Sequence, residues 1–183
     1  MIKTAIVLIS NGTEDIEAVS VIDILRRGGV EVTVAGETDI VHFSNGIKIL
    51  PDISFHKLNE TKLYDLLFLP GGTLGVENIL ENEKAREVIE FHHKSHKFIA
   101  AICAAPTILH VLGLIPPGAK ITSHPGVASS LTRYEYSEDP IVESGKILTS
   151  RGAGTAIHFG IFLLEKLIGI EIAEKVKNSI VLT

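Results

Sequence analysis

Apolar, β-rich runs alternate with helix-length segments along this chain, and that alternation limits its fold more than any other feature. Residues 4–10, "TAIVLIS", form such a run, ended by Asn-Gly. Residues 14–27 follow as a helix, because Ala18, Val21, Ile22 and Leu25 recur at helical spacing and Gly28-Gly29 stops it. "VEVTVAG" at 30–36 alternates as a strand, and "GIKIL" at 46–50 is a short strand suited to a hairpin. "YDLLFLPGG" at 64–72 predicts a buried strand broken by Pro-Gly-Gly. A helix fits 83–95, a strand 97–103, and a helix about 105–112. "KIT" and "KILTSRG" are late strands. A long apolar helix is expected over 153–169 and a short one over 171–178. Strands alternating with helices predict an α/β fold, a mainly parallel sheet with helices on both faces. The 183 residues suit one domain spanning 1–183.

This architecture matters for function. Ligands of such sheets bind in the crevice at the carboxyl ends of the strands. The loops leaving the clearest strands carry Glu14 and Glu17, Gly71 and Gly72, and Cys103. Cys103 is the only cysteine of the chain and stands where a strand gives way to a helix. At a helix amino end, unpaired N–H groups and the helix dipole favour thiolate, so a lowered thiol pKa is expected. Glu17 borders the apolar face of its helix and can point across the rim to that thiol. Two adjacent negative groups disfavour double ionisation, so a protonated Glu17 beside a Cys103 thiolate is the reasonable pairing. Gly71 and Gly72 leave backbone N–H groups open to an oxyanion, and the Ala104 N–H is a further donor. His124, in "TSHPG", should reach the same rim, with no nearby carboxylate to complete a triad.

Other function classes find little support. Net charge is −5, from 17 basic and 22 acidic residues, with no basic block for nucleic acid or an anionic membrane. No apolar run approaches the roughly 18 residues of a membrane span. The start "MIKTAIVLIS" lacks a convincing cleavage site, and a single cysteine cannot form an internal disulfide; a reducing cytoplasm is the expected compartment. "HHKSH" at 92–96 is read as an exposed helix end without acidic or thiol partners, so no metal is expected. "GGTLG" is too short for a dinucleotide fingerprint, and no cofactor is called for.

"NGTEDIEAVSVIDILRRGGVEVTVAG", "LPGGTLGVENI", "IAAICAAPTIL", "TSHP" and "LTSRGAGTA" occur in this order and together resemble the ThiJ/PfpI superfamily, in the branch of the parkinsonism-associated protein deglycase. The resemblance covers essentially the whole chain. It implies a flavodoxin-like sandwich and a homodimer. It also implies a reactive Cys103 hydrogen-bonded to protonated Glu17, backbone donors at Gly72 and Ala104, and His124 nearby. The activities it implies are a glutathione-independent glyoxalase converting methylglyoxal to lactate and a deglycase removing early glyoxal adducts from proteins or nucleotides. A redox-sensing or chaperone role, with Cys103 oxidised to sulfinate, is the alternative. Three positions depart from the pattern. Asn45 stands where a basic residue of an anion pocket near Arg27 is common, Ala153 where proline is common, and Ala105 where glycine is common.

Overall fold

The computed structural model describes residues 2–59 and 61–183. In chain order the elements are β1 (Thr4–Ile9), α1 (Asp15–Arg27), β2 (Glu31–Gly36), β3 (Val41–His42), β4 (Lys48–Ile49), β5 (Ile53–Ser54), β6 (Leu66–Leu69), α2 (Thr73–Glu81), α3 (Glu83–Lys94) and β7 (Phe98–Ile102). Then come α4 (Pro106–Val111), β8 (Lys120–Ile121), β9 (Glu135–Tyr136), β10 (Ile141–Ser144), β11 (Ile147–Ser150), α5 (Ala156–Ile168) and α6 (Ile170–Ser179). A seven-stranded sheet runs in the order β10-β11-β7-β6-β1-β2-β5. Only the β10–β11 pair is antiparallel.

The strand period divides the core in two. Ala5, Val7 and Ile9 of β1 face α1, α5 and α6, whereas Ile6 and Leu8 face α2, α3 and α4. Strands buried on both faces need continuous apolar runs, which "TAIVLI", "LLFL" and "FIAAI" supply. This is the expected flavodoxin-like α/β fold.

Local differences have physical causes. The helix α2 at Thr73–Glu81 is not among the expected elements, because Pro-Gly-Gly was read as the break of a strand and not as the start of a helix. The strand before it ends at Leu69, and Gly72, at φ 93°, caps the helix. The expected 153–169 helix opens with a 3-10 turn over Ala153–Thr155 before α5 begins. The 46–50 strand does lie in a hairpin, β3–β4. Asp15 anchors that hairpin to α1: its carboxylate accepts the N–H groups of Asn45 at 2.8 Å and Ile47 at 3.0 Å, and the Ser44 hydroxyl at 3.2 Å. His92, expected at an exposed helix end, is fully buried. Its Nδ1 lies 2.8 Å from the Val88 carbonyl, and its Nε2 accepts the Tyr64 N–H at 3.0 Å. No group of three or more His, Cys, Asp or Glu among the described residues is arranged to hold a metal ion. No helix of the described residues is long and apolar enough to cross a membrane.

Candidate active site

Four parallel strands end at one rim. The loop after β1 leads into α1 and Glu17, that after β6 holds Gly71 and Gly72, that after β7 holds Cys103, and that after β11 holds Arg151 and Gly152. A cavity of about 590 Å³ opens there, lined by Glu14, Glu17, Cys103, His124, Arg151 and Thr155 among others.

Cys103 has φ 64°, the left-handed region that a residue with a side chain enters only at a cost of about 1–3 kcal/mol. Neighbouring elements hold it there. Its N–H donates to the Ser150 carbonyl at 3.0 Å, and its own carbonyl accepts the His124 N–H at 2.8 Å. The turn lifts the sulfur out of the sheet and into the cavity. The N–H groups of Gly72 and Ala104 donate to it.

Glu17 is fully buried. Its Oε2 accepts the Gly71 N–H at 2.8 Å, and its Oε1 has no conventional hydrogen-bond partner. The Cys103 thiol is close enough to hydrogen-bond the carboxyl. A side chain at Gly152 would begin 3.9 Å from Oε1 and 4.0 Å from the Cys103 sulfur. Glycine is required opposite. A Cβ at Gly71 would lie 2.6 Å from Cys103 Cβ and 2.7 Å from Glu17 Oε2, and one at Gly72 would collide with the Gly12 carbonyl at 2.1 Å.

Two expectations change here. Gly71 was assigned as an oxyanion donor, but its N–H is committed to Glu17; it positions the carboxyl and leaves Gly72 and Ala104 as the donors at the sulfur. Nor is the thiol's pKa lowered, as its place before a helix led us to expect. The helix that follows, α4, is short and starts only at Pro106. Burial first, then the charge of Glu17 and the hydrogen bond to it, push the thiol up to about 12 against the two N–H donors. Burial also pushes Glu17 up to about 7, opposed by the Gly71 N–H and the thiol and reinforced by the charge of Glu14. Burial raises both groups, and the charge of Glu17 disfavours a thiolate beside it, so a thiolate at neutral pH requires the proton to sit on Glu17.

His124 lines the cavity without joining the pair. Its Nδ1 accepts the Gly126 N–H at 3.0 Å, which puts the ring proton of the neutral imidazole on Nε2. That leaves a donor towards the cavity and no base for the thiol. Sequence reasoning put Glu14 on the rim without a role and missed two further cavity residues, Arg151 and Thr155. Glu14 caps α1 through its carboxylate on the Glu17 N–H at 2.8 Å. Arg151 is tethered by Nη1 to the Glu138 carbonyl at 3.0 Å. The Thr155 hydroxyl accepts the Gly152 N–H at 3.2 Å. The only sequence signal for the last two was the run "TSRGAGT" behind a late strand. Asn45 and Arg27 are engaged elsewhere, Asn45 with Asp15 and Arg27 with Asp23 at 2.6 Å.

Comparison with known proteins finds relatives over nearly the whole chain. The DJ-1/PfpI family pattern matches residues 3–166. The chain is 38% identical over 185 residues to the Parkinson disease protein 7 homolog of Danio rerio, covering 98% of this chain and 97% of that one. It is 34% identical over 173 residues to the glutathione-independent glyoxalase DJR-1.2 of Caenorhabditis elegans, covering 92% and 91% of the two chains. The crystal structure of Drosophila melanogaster DJ-1beta superposes with a TM-score of 0.94 at 34% identity, covering 100% of both chains. Oxidised Toxoplasma gondii DJ-1 superposes with a TM-score of 0.91 at 34% identity, covering 98% of both.

Proposed function

The chain belongs to the DJ-1/PfpI family, and on that premise we propose that it is a cysteine-dependent glyoxalase and deglycase acting on methylglyoxal or early glyoxal adducts without a cofactor. One observation carries the reading: Glu17 is a buried carboxyl with one oxygen fixed by Gly71 and the other left without a conventional partner beside the only thiol. A proton shared by that oxygen and the sulfur is the reagent this chemistry needs. The glyoxalase name of the Caenorhabditis elegans relative supports a small aldehyde as substrate.

The Cys103 thiolate attacks the aldehyde carbon of methylglyoxal, forming a C–S bond, and the Glu17 proton goes to the oxygen to give a hemithioacetal. The Glu17 carboxylate then takes the proton from that carbon, acidified by the adjacent carbonyl; the hydroxyl proton passes to the neighbouring oxygen, and Glu17 returns its proton to the neighbouring carbon. A lactoyl thioester results. Water cleaves its C–S bond, releasing lactate and restoring the shared proton. The Gly72 and Ala104 N–H groups stabilise negative charge at the sulfur, and His124 Nε2–H is a donor for substrate oxygen.

Lactate formation from methylglyoxal by wild type and Cys103→Ser tests this directly. Activity in wild type and none in the variant is expected; equal rates refute it. The same site suits a redox-sensing reading, favoured by the N–H donors already aimed at the sulfur, in which peroxide oxidises Cys103 to sulfinate and Glu17 donates to the product.

A homodimer belongs to the same proposal. Ile16 (53% exposed) and Val19 on the outer side of α1, with Ile47 and Leu50 (79% exposed) at the hairpin, leave a large apolar surface uncovered. Asp15 ties both parts into one surface.

A further inference from the structure

At the opposite edge of the sheet, the amino ends of the same four strands meet in a second cavity, of about 220 Å³. Lys3 precedes β1, Asp65 precedes β6, His96 and Lys97 precede β7, and Lys146 precedes β11; Lys166, from the last turn of α5, closes the side. Lys97 Nζ pairs with Asp65 Oδ1 at 3.3 Å, and Lys166 Nζ with Glu143 Oε2 at 2.7 Å. Lys146 Nζ lies 3.9 Å from the centre of the Phe98 ring. Neither Lys3 nor Lys146 makes an ion pair among the described residues. Four ammonium groups thus face two carboxylates, an excess of two positive charges on a chain whose net charge is −5.

Gathering like charges within a Debye length, about 8–10 Å at ordinary ionic strength, disfavours the folded state unless an anion compensates them. Lysine ammoniums act as point charges and suit a compact, multiply charged oxyanion better than the flat fork of a carboxylate, which arginine reads. At about 30 Å³ per water molecule, the cavity has room for a tetrahedral ion with a few waters. Asp65 adds selectivity. Burial acts to raise its carboxyl, but the Thr4 N–H at 3.1 Å, the Lys97 ammonium and the charge of Lys3 outweigh that and keep it ionised. An ionised carboxylate accepts hydrogen bonds and cannot donate. It accommodates an anion that still carries a hydroxyl and repels one that does not.

We propose that this cavity is a binding site for phosphate in its hydroxyl-bearing form, held between Lys3 and Lys146 with Asp65 accepting the P–OH. The site is separate from Cys103 and independent of the reaction assigned there.

Calorimetric titration of the full chain with inorganic phosphate, sulfate and glycerol phosphate, at fixed ionic strength and near-neutral pH, tests the proposal. Saturable binding of one phosphate per chain is expected, with sulfate and the monoester dianion about tenfold weaker because each lacks the P–OH of the bound ion. Lys3→Gln/Lys146→Gln should weaken phosphate by about tenfold or more and leave lactate formation unchanged. Asp65→Asn should narrow the gap between phosphate and sulfate. No saturable phosphate binding, sulfate or monoester binding as tight as phosphate, or full affinity in the double variant would each overturn it.

Discussion

The Gly71 N–H donates to Glu17 Oε2 at 2.8 Å, and the absence of a side chain at Gly71 is what lets the carboxyl and Cys103 Cβ share its surroundings. One oxygen of Glu17 is thereby fixed and the other left to the sulfur. In the proposed mechanism, the proton transfer thus depends on Gly71, whose N–H is committed to Glu17.

Gly71→Ala should therefore disable the site while leaving its functional groups in place. The new Cβ would sit 2.6 Å from Cys103 Cβ and 2.7 Å from Glu17 Oε2. Overpacking of this kind costs about 1–3 kcal/mol. Thermal unfolding should shift down accordingly, and lactate formation should fall by far more than that loss of folded protein explains. Wild-type turnover in Gly71→Ala would show that the contact is dispensable.

The pH profile follows from the shared proton. Below about 7 the pair holds two protons, the sulfur is a thiol, and activity is low. As pH rises through about 7 the first proton leaves and kcat/KM should rise. Stopped-rate assays through that pH measure it; a profile that falls on passing upward through 7 contradicts the paired state.

Glu17→Gln separates proton transfer from sulfur activation. Glutamine still donates a hydrogen bond but cannot take or return a proton. Lactate formation should drop about 10²–10⁴-fold. Removing the Glu17 charge should also lower the thiol relative to wild type, as read by thiolate absorbance, so iodoacetamide labelling of Cys103 should persist. Unchanged lactate production would remove Glu17 from the mechanism.

Asp15 links the hairpin to α1, so its loss should be felt at the apolar surface. Burial acts to raise this carboxyl, but the Asn45 and Ile47 N–H groups and the Ser44 hydroxyl hold it below its ordinary value. A depressed folded pKa contributes stability above the unfolded value of about 3.8 that is lost as pH falls through the folded one. Asp15→Ala should cost about 1–3 kcal/mol, since it leaves several donors without their acceptor. Sedimentation should show wild type at about twice the 19.8 kDa chain mass, with Asp15→Ala and Leu50→Glu both shifted towards monomer. A monomeric wild type would refute the dimer.

His92 should make stability sensitive to mild acid. Burial, aided by the charge of Lys97 and opposed by the Val88 carbonyl, lowers its pKa below 6.5. The unfolded chain then binds a proton first, so stability declines as pH falls below about 6.5 and continues to decline down to the folded value. Urea midpoints should drop between neutral pH and the lowered value in wild type. His92→Gln, which cannot titrate, should lack that component of the slope.

Much of this protein was legible in order alone. Short apolar runs bounded by turn residues fit strands buried on both faces, and helical spacing between them predicts a mainly parallel sheet whose loops gather at one edge. Cys103 and Glu17 could be named from that topology, because both follow strands that end at the same rim. What the sequence could not carry was the state of the groups once gathered. The thiol's protonation depends on burial and on a carboxylate far away in the chain, and neither has a local signature. Gly71 looked like a donor until the fold gave its N–H to Glu17. The helix at Thr73–Glu81 was hidden behind a glycine pair that also reads as a turn. His92 could be taken for a surface histidine because only the packing of α3 against the Tyr64 segment buries it. The lysines at the opposite edge are scattered singly through the sequence, and the parallel strand register alone brings them to one cavity. Local pattern specifies elements through short-range sterics and periodicity. Charge, proton affinity and cavity chemistry are set by long-range neighbours, and only the tertiary structure decides who those neighbours are.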